Sequence, residues 1–177
     1  MKTNFDKKCR NCSEVFIPYR TTDKLCYACK KTDQAMRNLK KIKAVKVKKQ
    51  KEDILTLSDY IKLTQQVFNK FIRLRDKDKP CVSCGQKLSS KYDSGHYYSA
   101  GGHYSLRFNE DNCHGQCVAC NQHKHGNIQK YRFGLIERIG EERLTKLDEL
   151  SNETRKFTKD ELKALIQYYK LKIKNHE

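Results

Sequence analysis

Three stretches of the chain place apolar residues at helical spacing, and a fourth alternates like strands. In SDYIKLTQQVFNKFIRLRDKDK, Ile61, Val67, Phe68, Phe71, Ile72 and Leu74 predict an amphipathic helix, opened by Ser58 as N-cap and stopped before Pro80. A second helix is predicted over Ile128 to Ile139, and a third from Thr158 to about Lys174. The third opens on Thr158-Lys-Asp-Glu161, which has capping-box form. Its stripe of Leu162, Leu165, Ile166, Tyr169 and Ile173 marks a packing face, so Tyr168 and Tyr169 read as core or rim rather than base-stacking platforms. Between the first two helices, Tyr92 to Tyr98 and Ser105 to Asn109 read as short strands joined by a Gly101-Gly102 turn. A helix beginning near Cys117 to Asn121 would complete a ββα order.

Composition narrows this picture. With 177 residues, 37% hydrophobic and 33% charged, the chain has room for one modest core and a small satellite. The formal net charge of +17 attracts polyanions, with nucleic acid the leading partner and a membrane surface the weaker one. No apolar run approaches the roughly 18 residues that span a bilayer. No secretory segment follows Met1, so a cytosolic (cytoplasmic) location is expected. Arg37, Lys40, Lys41, Lys43, Lys46, Lys48, Lys49 and Lys51 occur without one acidic residue between them. Such a run reads as a solvated linker, a phosphate-binding arm, or both.

Nine cysteines in a cytosolic chain point to metal rather than disulfides. Eight form CxxC pairs: Cys9/Cys12, Cys26/Cys29, Cys81/Cys84 and Cys117/Cys120. Cys113 is left over as a small buried residue or bystander thiol. Thirteen residues separate the first two pairs, a spacing that suits a zinc ribbon or treble-clef finger. Four thiolates close a tetrahedral site, so both zincs would be structural. The expected organisation is a finger over 1–33, a basic linker or arm over 34–57, and a larger domain with flanking helices over 58–177. The insert between the last two pairs holds Asp93, His96, His103, Asn112 and His114, and Asn121, His123 and His125 follow directly. A structural zinc needs none of these. Phosphodiester hydrolysis needs a base and a divalent cation, and a His-bearing strand packed on a ligand-bearing helix supplies both.

The pattern His96 … Asn112 … CVACNQHKH resembles the HNH (ββα-metal) nucleases, including those with an endonuclease VII-like core. More of the chain is similar to the NinG (Rap) recombination endonucleases of lambdoid phages. FNKFIRLRDKDKPCVSCG, YDSGHY, LRFNEDN, HGQCVACNQHKHGN and YRFGLIERIG carry that likeness, with CRNCSEVF at the N-terminus. The resemblance implies an α+β fold: a small zinc-stabilised ββα-metal (HNH, treble-clef-like) core, flanking helices and an N-terminal four-cysteine finger. It implies a structure-specific endonuclease that cuts D-loops and Holliday junctions in phage recombination, with Mg²⁺ or Mn²⁺ beside two structural Zn²⁺ ions. His96 would be the general base, Asn112 would orient the catalytic loop, and Asn121 would bind the cation. His125, one helical turn after Asn121, would be a second ligand. HNH enzymes place Asp or His directly before the base; here Gly95 stands there, and Asp93 two positions earlier is the expected substitute. His103 is a loop, substrate-contact or catalytic residue; Arg107 and Lys124 read as phosphate contacts or as part of a solvated face, and His123, pointing elsewhere on the helix, is a further candidate phosphate contact. A homodimer would suit a two-strand cut, and recombination proteins are further possible partners. Two other readings stay open, a non-catalytic zinc-finger DNA-binding protein and a zinc-organised protein adaptor.

Overall fold

The computed structural model describes residues 5–176, apart from the side chains of residues 48, 49 and 51–53. Lys48, Lys49 and Lys51 of the basic run therefore lie outside the described side chains. The chain divides after Leu55 into two units.

In the first unit, β1 (Lys7–Lys8) and β2 (Val15–Phe16) pair antiparallel, Lys7 opposite Phe16 and Lys8 opposite Val15. The first cysteine knuckle is the tip of this hairpin. Ser13 takes a positive φ of 60°, and Ser13 N donates to Cys9 O at 2.9 Å. The second knuckle leads into α1 (Tyr27–Ile54), with Cys29 inside its first turn. The expected linker over 34–57 is thus helical as far as Ile54. Its Lys, Arg, Gln, Ala and Leu are good helix formers, and neither Gly nor Pro interrupts it. The run is solvated as expected, with its described cations exposed, but it is a helix. Among the described residues of this unit, Cys9 alone is buried.

The second unit opens on α2 (Leu57–Arg75). Thr56, not Ser58, is its N-cap, in a reciprocal box with Asp59. Tyr60, Thr64, Phe68, Phe71 and Ile72 make the buried face. It packs on α4 (Lys159–His176), where Leu162, Ile166, Tyr169 and Ile173 are buried. Tyr169 meets Phe68 edge-on, with ring centroids 5.1 Å apart, and its hydroxyl donates to Phe108 O at 3.1 Å. Each such ring taken fully out of water contributes about 1.5–3 kcal/mol. The capping box expected at Thr158 is present, Glu161 N donating to Thr158 Oγ1 and Thr158 N to Glu161.

α3 (Ile128–Leu150) runs beyond the predicted Ile139 because Gly140 kinks it, at φ 78° and ψ 163°, instead of ending it. The bend returns Leu144 and Leu147 to the cluster that Leu135, Tyr131, Val82 and Leu106 already form. A residue with a Cβ would be strained at that φ.

The hairpin at the centre corrects a second expectation. β3 (Tyr92–His96) pairs with β4 (Cys113–Cys117), not with Ser105 to Asn109. The register sets Asp93 opposite Gln116, Gly95 opposite His114 and His96 opposite Cys113. Tyr104–Leu106 is a 3₁₀ turn inside the connecting loop. Leu106 and Phe108 gave that loop its strand-like alternation, but they bury into separate parts of the core. CHGQC carries no β-branched or aromatic residue, so β4 had no strand signal.

Candidate functional site

Two sets of four cysteines gather their sulfur atoms within 4.8 Å of one another: Cys9, Cys12, Cys26 and Cys29 in the first unit, Cys81, Cys84, Cys117 and Cys120 in the second. In each set one thiol is favoured as the thiolate, the form that ligates metal, while Cys12 and Cys29 in the first set and Cys84, Cys117 and Cys120 in the second are shifted upward. Cys26 N donates to Cys9 Sγ and Cys117 N to Cys81 Sγ, both at 3.3 Å. Asn11 and Asn127 donate to Cys29 and Cys120, both at 3.4 Å. N–H groups of Cys12 and Cys26 lower the Cys9 thiol to about 6. Burial opposes the Cys81 thiolate, but N–H groups of Cys117 and Cys84 outweigh it and bring that thiol to about 7. Both sets could hold a tetrahedral zinc, closed to a fifth ligand. In the second unit the metal would tie the loop after α2 to the end of β4.

Cys120 also sits in a π-helical turn, Ala119–His123, where the sequence suggested the start of an ordinary helix. Lys124 N donates to Ala119 O and Gly126 N to Asn121 O, closing the wide ring. The turn aims Asn121 at β3. Asn121 Nδ2 donates to Asp93 Oδ2 at 2.9 Å, and Gln122 Nε2 donates to the same oxygen at 2.8 Å. Two of the residues singled out from sequence thus meet, on one face of the hairpin. His125 does not join them. The turn ends before it, and His125 is exposed with a left-handed φ of 47°, so helical i, i+4 spacing from Asn121 does not apply.

Side chains alternate along β3, so Asp93 and Gly95 face the π turn while Tyr92, Ser94 and His96 face α2. Contacts agree: Tyr92 donates to Arg73 O, and the His96 ring lies 6.0 Å from that of Phe68. His96 Nε2 contacts Arg107 O at 3.0 Å. A carbonyl only accepts, so Nε2 carries the proton and the lone pair sits on Nδ1. Nδ1 lies 3.5 Å from Cys113 Sγ, a thiol that burial keeps protonated and so a weak donor. Burial also lowers the His96 pKa below 6.5, which favours the neutral imidazole. His96 and the Asp93 cluster border opposite sides of the same strand end, with no direct contact between them among the described residues.

The other predicted residues divide by what they touch. Asn112 is fully buried and holds the loop: Oδ1 accepts from Tyr98 N at 2.8 Å, while Nδ2 donates to Tyr98 O and Leu106 O. His103 contacts Ser151 O at 3.0 Å and packs on Tyr98, away from Asp93. Arg107 spends Nε on Gln65 and Nη1 on Ala100 O, so most of its guanidinium serves the fold. His114 is buried, its Nδ1 3.6 Å from Asp76 and its Nε2 3.0 Å from Asp111 O. His123 and Lys124 are exposed at the end of the π turn, and Arg37, Lys40, Lys41, Lys43 and Lys46 are exposed along α1.

Sequence reasoning passed over Gln116 and Gln122, which carried no signal; Cys113, expected as a small buried residue or bystander thiol, is fully buried. Gln116 is fully buried opposite Asp93, and its Oε1 has no hydrogen-bond partner. It and Asn121 Oδ1 both border the space beside Gly95, and with the Asp93 carboxylate they are oxygen donors of the kind that could hold a hard divalent cation.

Comparison with known proteins places this architecture. The family model described as Bacteriophage Lambda NinG protein matches residues 1–177. The chain is similar to Protein ninG of Escherichia phage lambda, 45% identical over 130 residues that cover 73% of this chain and 63% of the relative. Protein ninG of Salmonella phage P22 is 44% identical over 132 residues, 73% of this chain and 64% of the relative. The chain thus spans less than two thirds of these relatives' length. Protein ninG of Enterobacteria phage H19B is 39% identical over 187 residues, covering 96% of this chain and 92% of the relative. No solved structure matches. No helix among the described residues is long and apolar enough to cross a membrane.

Proposed function

The chain belongs to the phage lambda NinG family, and from that premise and the oxygen cluster on the strand that ends in His96 we propose a metal-dependent DNA endonuclease with an HNH-type, endonuclease VII-like core. Its substrates are branched recombination intermediates, D-loops and Holliday junctions, as for a Rap-type recombination nuclease. The observation that carries this reading is the meeting of Asp93 and Asn121 at 2.9 Å, on the strand that ends in His96.

The chemistry follows from what each residue can do. The exposed cations of α1 and the π turn bind phosphates without reading sequence. Asp93 and Asn121 hold the divalent cation. Bound there, Mg²⁺ or Mn²⁺ supplies charge stabilisation for the pentavalent phosphorus and the departing 3′ oxygen. His96 Nδ1, its tautomer fixed by Arg107 O, takes the proton from the attacking water, which displaces the weak Cys113 thiol contact. The scissile phosphate lies at the end of β3, with the oxygen cluster on one side and the imidazole on the other. Asn112 keeps the loop after His96 in place. Cutting both strands of a symmetric junction takes two such sites, so a homodimer belongs to the proposal.

A second reading, a non-catalytic zinc-finger DNA-binding protein, is favoured by how fully the histidines are engaged internally. His96, His103 and His114 each contact a main-chain carbonyl at 3.0 Å.

Cleavage of labelled D-loop, Holliday-junction and linear duplex DNA, with and without Mg²⁺ or Mn²⁺, separates the two. The nuclease reading expects metal-dependent cutting of branched DNA, reduced about 10²–10⁴-fold in His96→Ala while binding survives. Tight binding with no cutting under either metal would leave the binding module.

A further inference from the structure

The buried amide of Gln116 has a fixed orientation. Its Nε2 donates to Ser83 Oγ and to Gly126 O, both at 2.6 Å. A main-chain carbonyl cannot donate, so the nitrogen must lie on that side and Oε1 on the other. Oε1 has no hydrogen-bond partner, although Gln116 is 0% exposed. An acceptor taken from water and left unmatched is destabilising, and such groups point to a bound water or ion.

Oε1 faces the backbone of Gly95. A Cβ on that glycine would collide with it, and would lie 3.2 Å from Asn121 Oδ1. The two amide oxygens therefore border the same small space. Asn121 is oriented as Gln116 is: its nitrogen is committed to Asp93 Oδ2, which leaves the oxygen as its outward end. Asp93 sits directly across the ladder from Gln116, so its carboxylate lies on the same face. One negative charge and two amide oxygens, with no sulfur or imidazole, make a hard donor set.

We infer that Gln116 Oε1 is a ligand of the divalent cation, alongside Asp93 and Asn121, and that Gly95 is glycine because the ligand oxygen occupies its side-chain space. The inference rests on the reading that this face takes a cation. It also accounts for the strand position before His96: the missing side-chain ligand there is supplied from β4.

The test is Mn²⁺ binding to the zinc-loaded full chain, followed by the loss of the free-ion electron paramagnetic resonance signal. Wild type should bind one Mn²⁺ per chain. Gln116→Leu should bind about 10–100-fold more weakly. Gly95→Ala, which puts a Cβ against Gln116 Oε1 and leaves every proposed ligand side chain in the sequence, should weaken binding similarly and gives a second variant if Gln116→Leu does not fold. Wild-type affinity in either folded variant, with binding lost in Asp93→Asn, overturns the role of Gln116 alone. No Mn²⁺ binding in wild type overturns both this inference and the cation-dependent nuclease. Gln116-dependent binding in a chain that cuts no DNA leaves the ligand assignment standing and removes the nuclease.

Discussion

The two four-cysteine sets have the same ligands but unlike surroundings. In the first unit Cys9 alone among the described residues is buried, and the hairpin beside it has two residues per strand. In the second, Cys81 and Cys120 sit next to Leu88, in a unit that also buries Phe68, Leu135 and Tyr169. A metal in the first site therefore stands in for a core, while a metal in the second fixes detail on a core that exists without it. That detail includes the proposed cation site, because Cys120 lies in the turn that delivers Asn121 to Asp93.

The largest effect should come from breaking each set in turn. Cys9→Ser should abolish folding of the hairpin and the start of α1, read as loss of hydrogen-exchange protection over residues 7–29 and of one bound zinc. The second unit should melt as before. Cys120→Ser should also lose one zinc, yet keep the α2–α4 packing, with Mn²⁺ binding falling much further than melting temperature. Equal unfolding of both units by the two variants would erase the distinction.

Asp76 tests how far the second core is independent of metal. It is 0% exposed at the end of α2, paired with Arg75 at 2.8 Å and Arg138 at 3.3 Å, and it accepts from Gly115 N of β4. Burial pushes its carboxyl up, but His114 and Arg75 outweigh this and hold it well below the usual range. Asp76→Asn should cost about 3–5 kcal/mol in denaturant unfolding, since two half-buried guanidinium groups lose their buried counter-charge. The pH dependence has a defined sign. A depressed carboxyl stabilises at every pH above its unfolded value near 3.8, and that contribution fades as pH falls below it. His96 and His114 act earlier. Burial lowers both from 6.5, so unfolding takes up protons below that pH and stability declines as pH falls through it. A midpoint flat from pH 7 to 5 would contradict the burial of these rings. The same lowering predicts that His96-dependent cleavage keeps its rate to below pH 6.5.

What could be read from sequence follows the same division. Local signals were legible: the CxxC pairs, the stripes of α2 and α4, the Thr158 box. Asp93 and Asn121 were legible as chemistry because their residue types are unusual so close to a knuckle. The failures that matter for the site come from packing and from irregular backbone. β4 is a strand because α2 and the knuckle bury both its faces, which CHGQC cannot announce. His125 left the ligand set because a π turn and a positive φ broke the helical period. Gln116 emerges only once the partners of its nitrogen are known, since an orphaned oxygen is a property of the packing.

The smallest effect isolates a local signal inside the better-packed unit. Thr158 Oγ1 accepts from Glu161 N at 3.2 Å, satisfying one of the open donors at the start of α4. Thr158→Ala should cost about 0.5–2 kcal/mol. Because α4 packs against α2 through Tyr169, Phe68 and Phe71, this loss should appear in the global unfolding of the second unit rather than as fraying alone. Denaturant midpoints of wild type and Thr158→Ala, with zinc content held equal, make the measurement. A lower midpoint with unchanged Mn²⁺ affinity would place α4 in the scaffold and outside the site. An unchanged midpoint with faster exchange confined to residues 159–162 would mean that α4 frays independently, and that the core holding the hairpin is smaller than the packing of Tyr169 indicates.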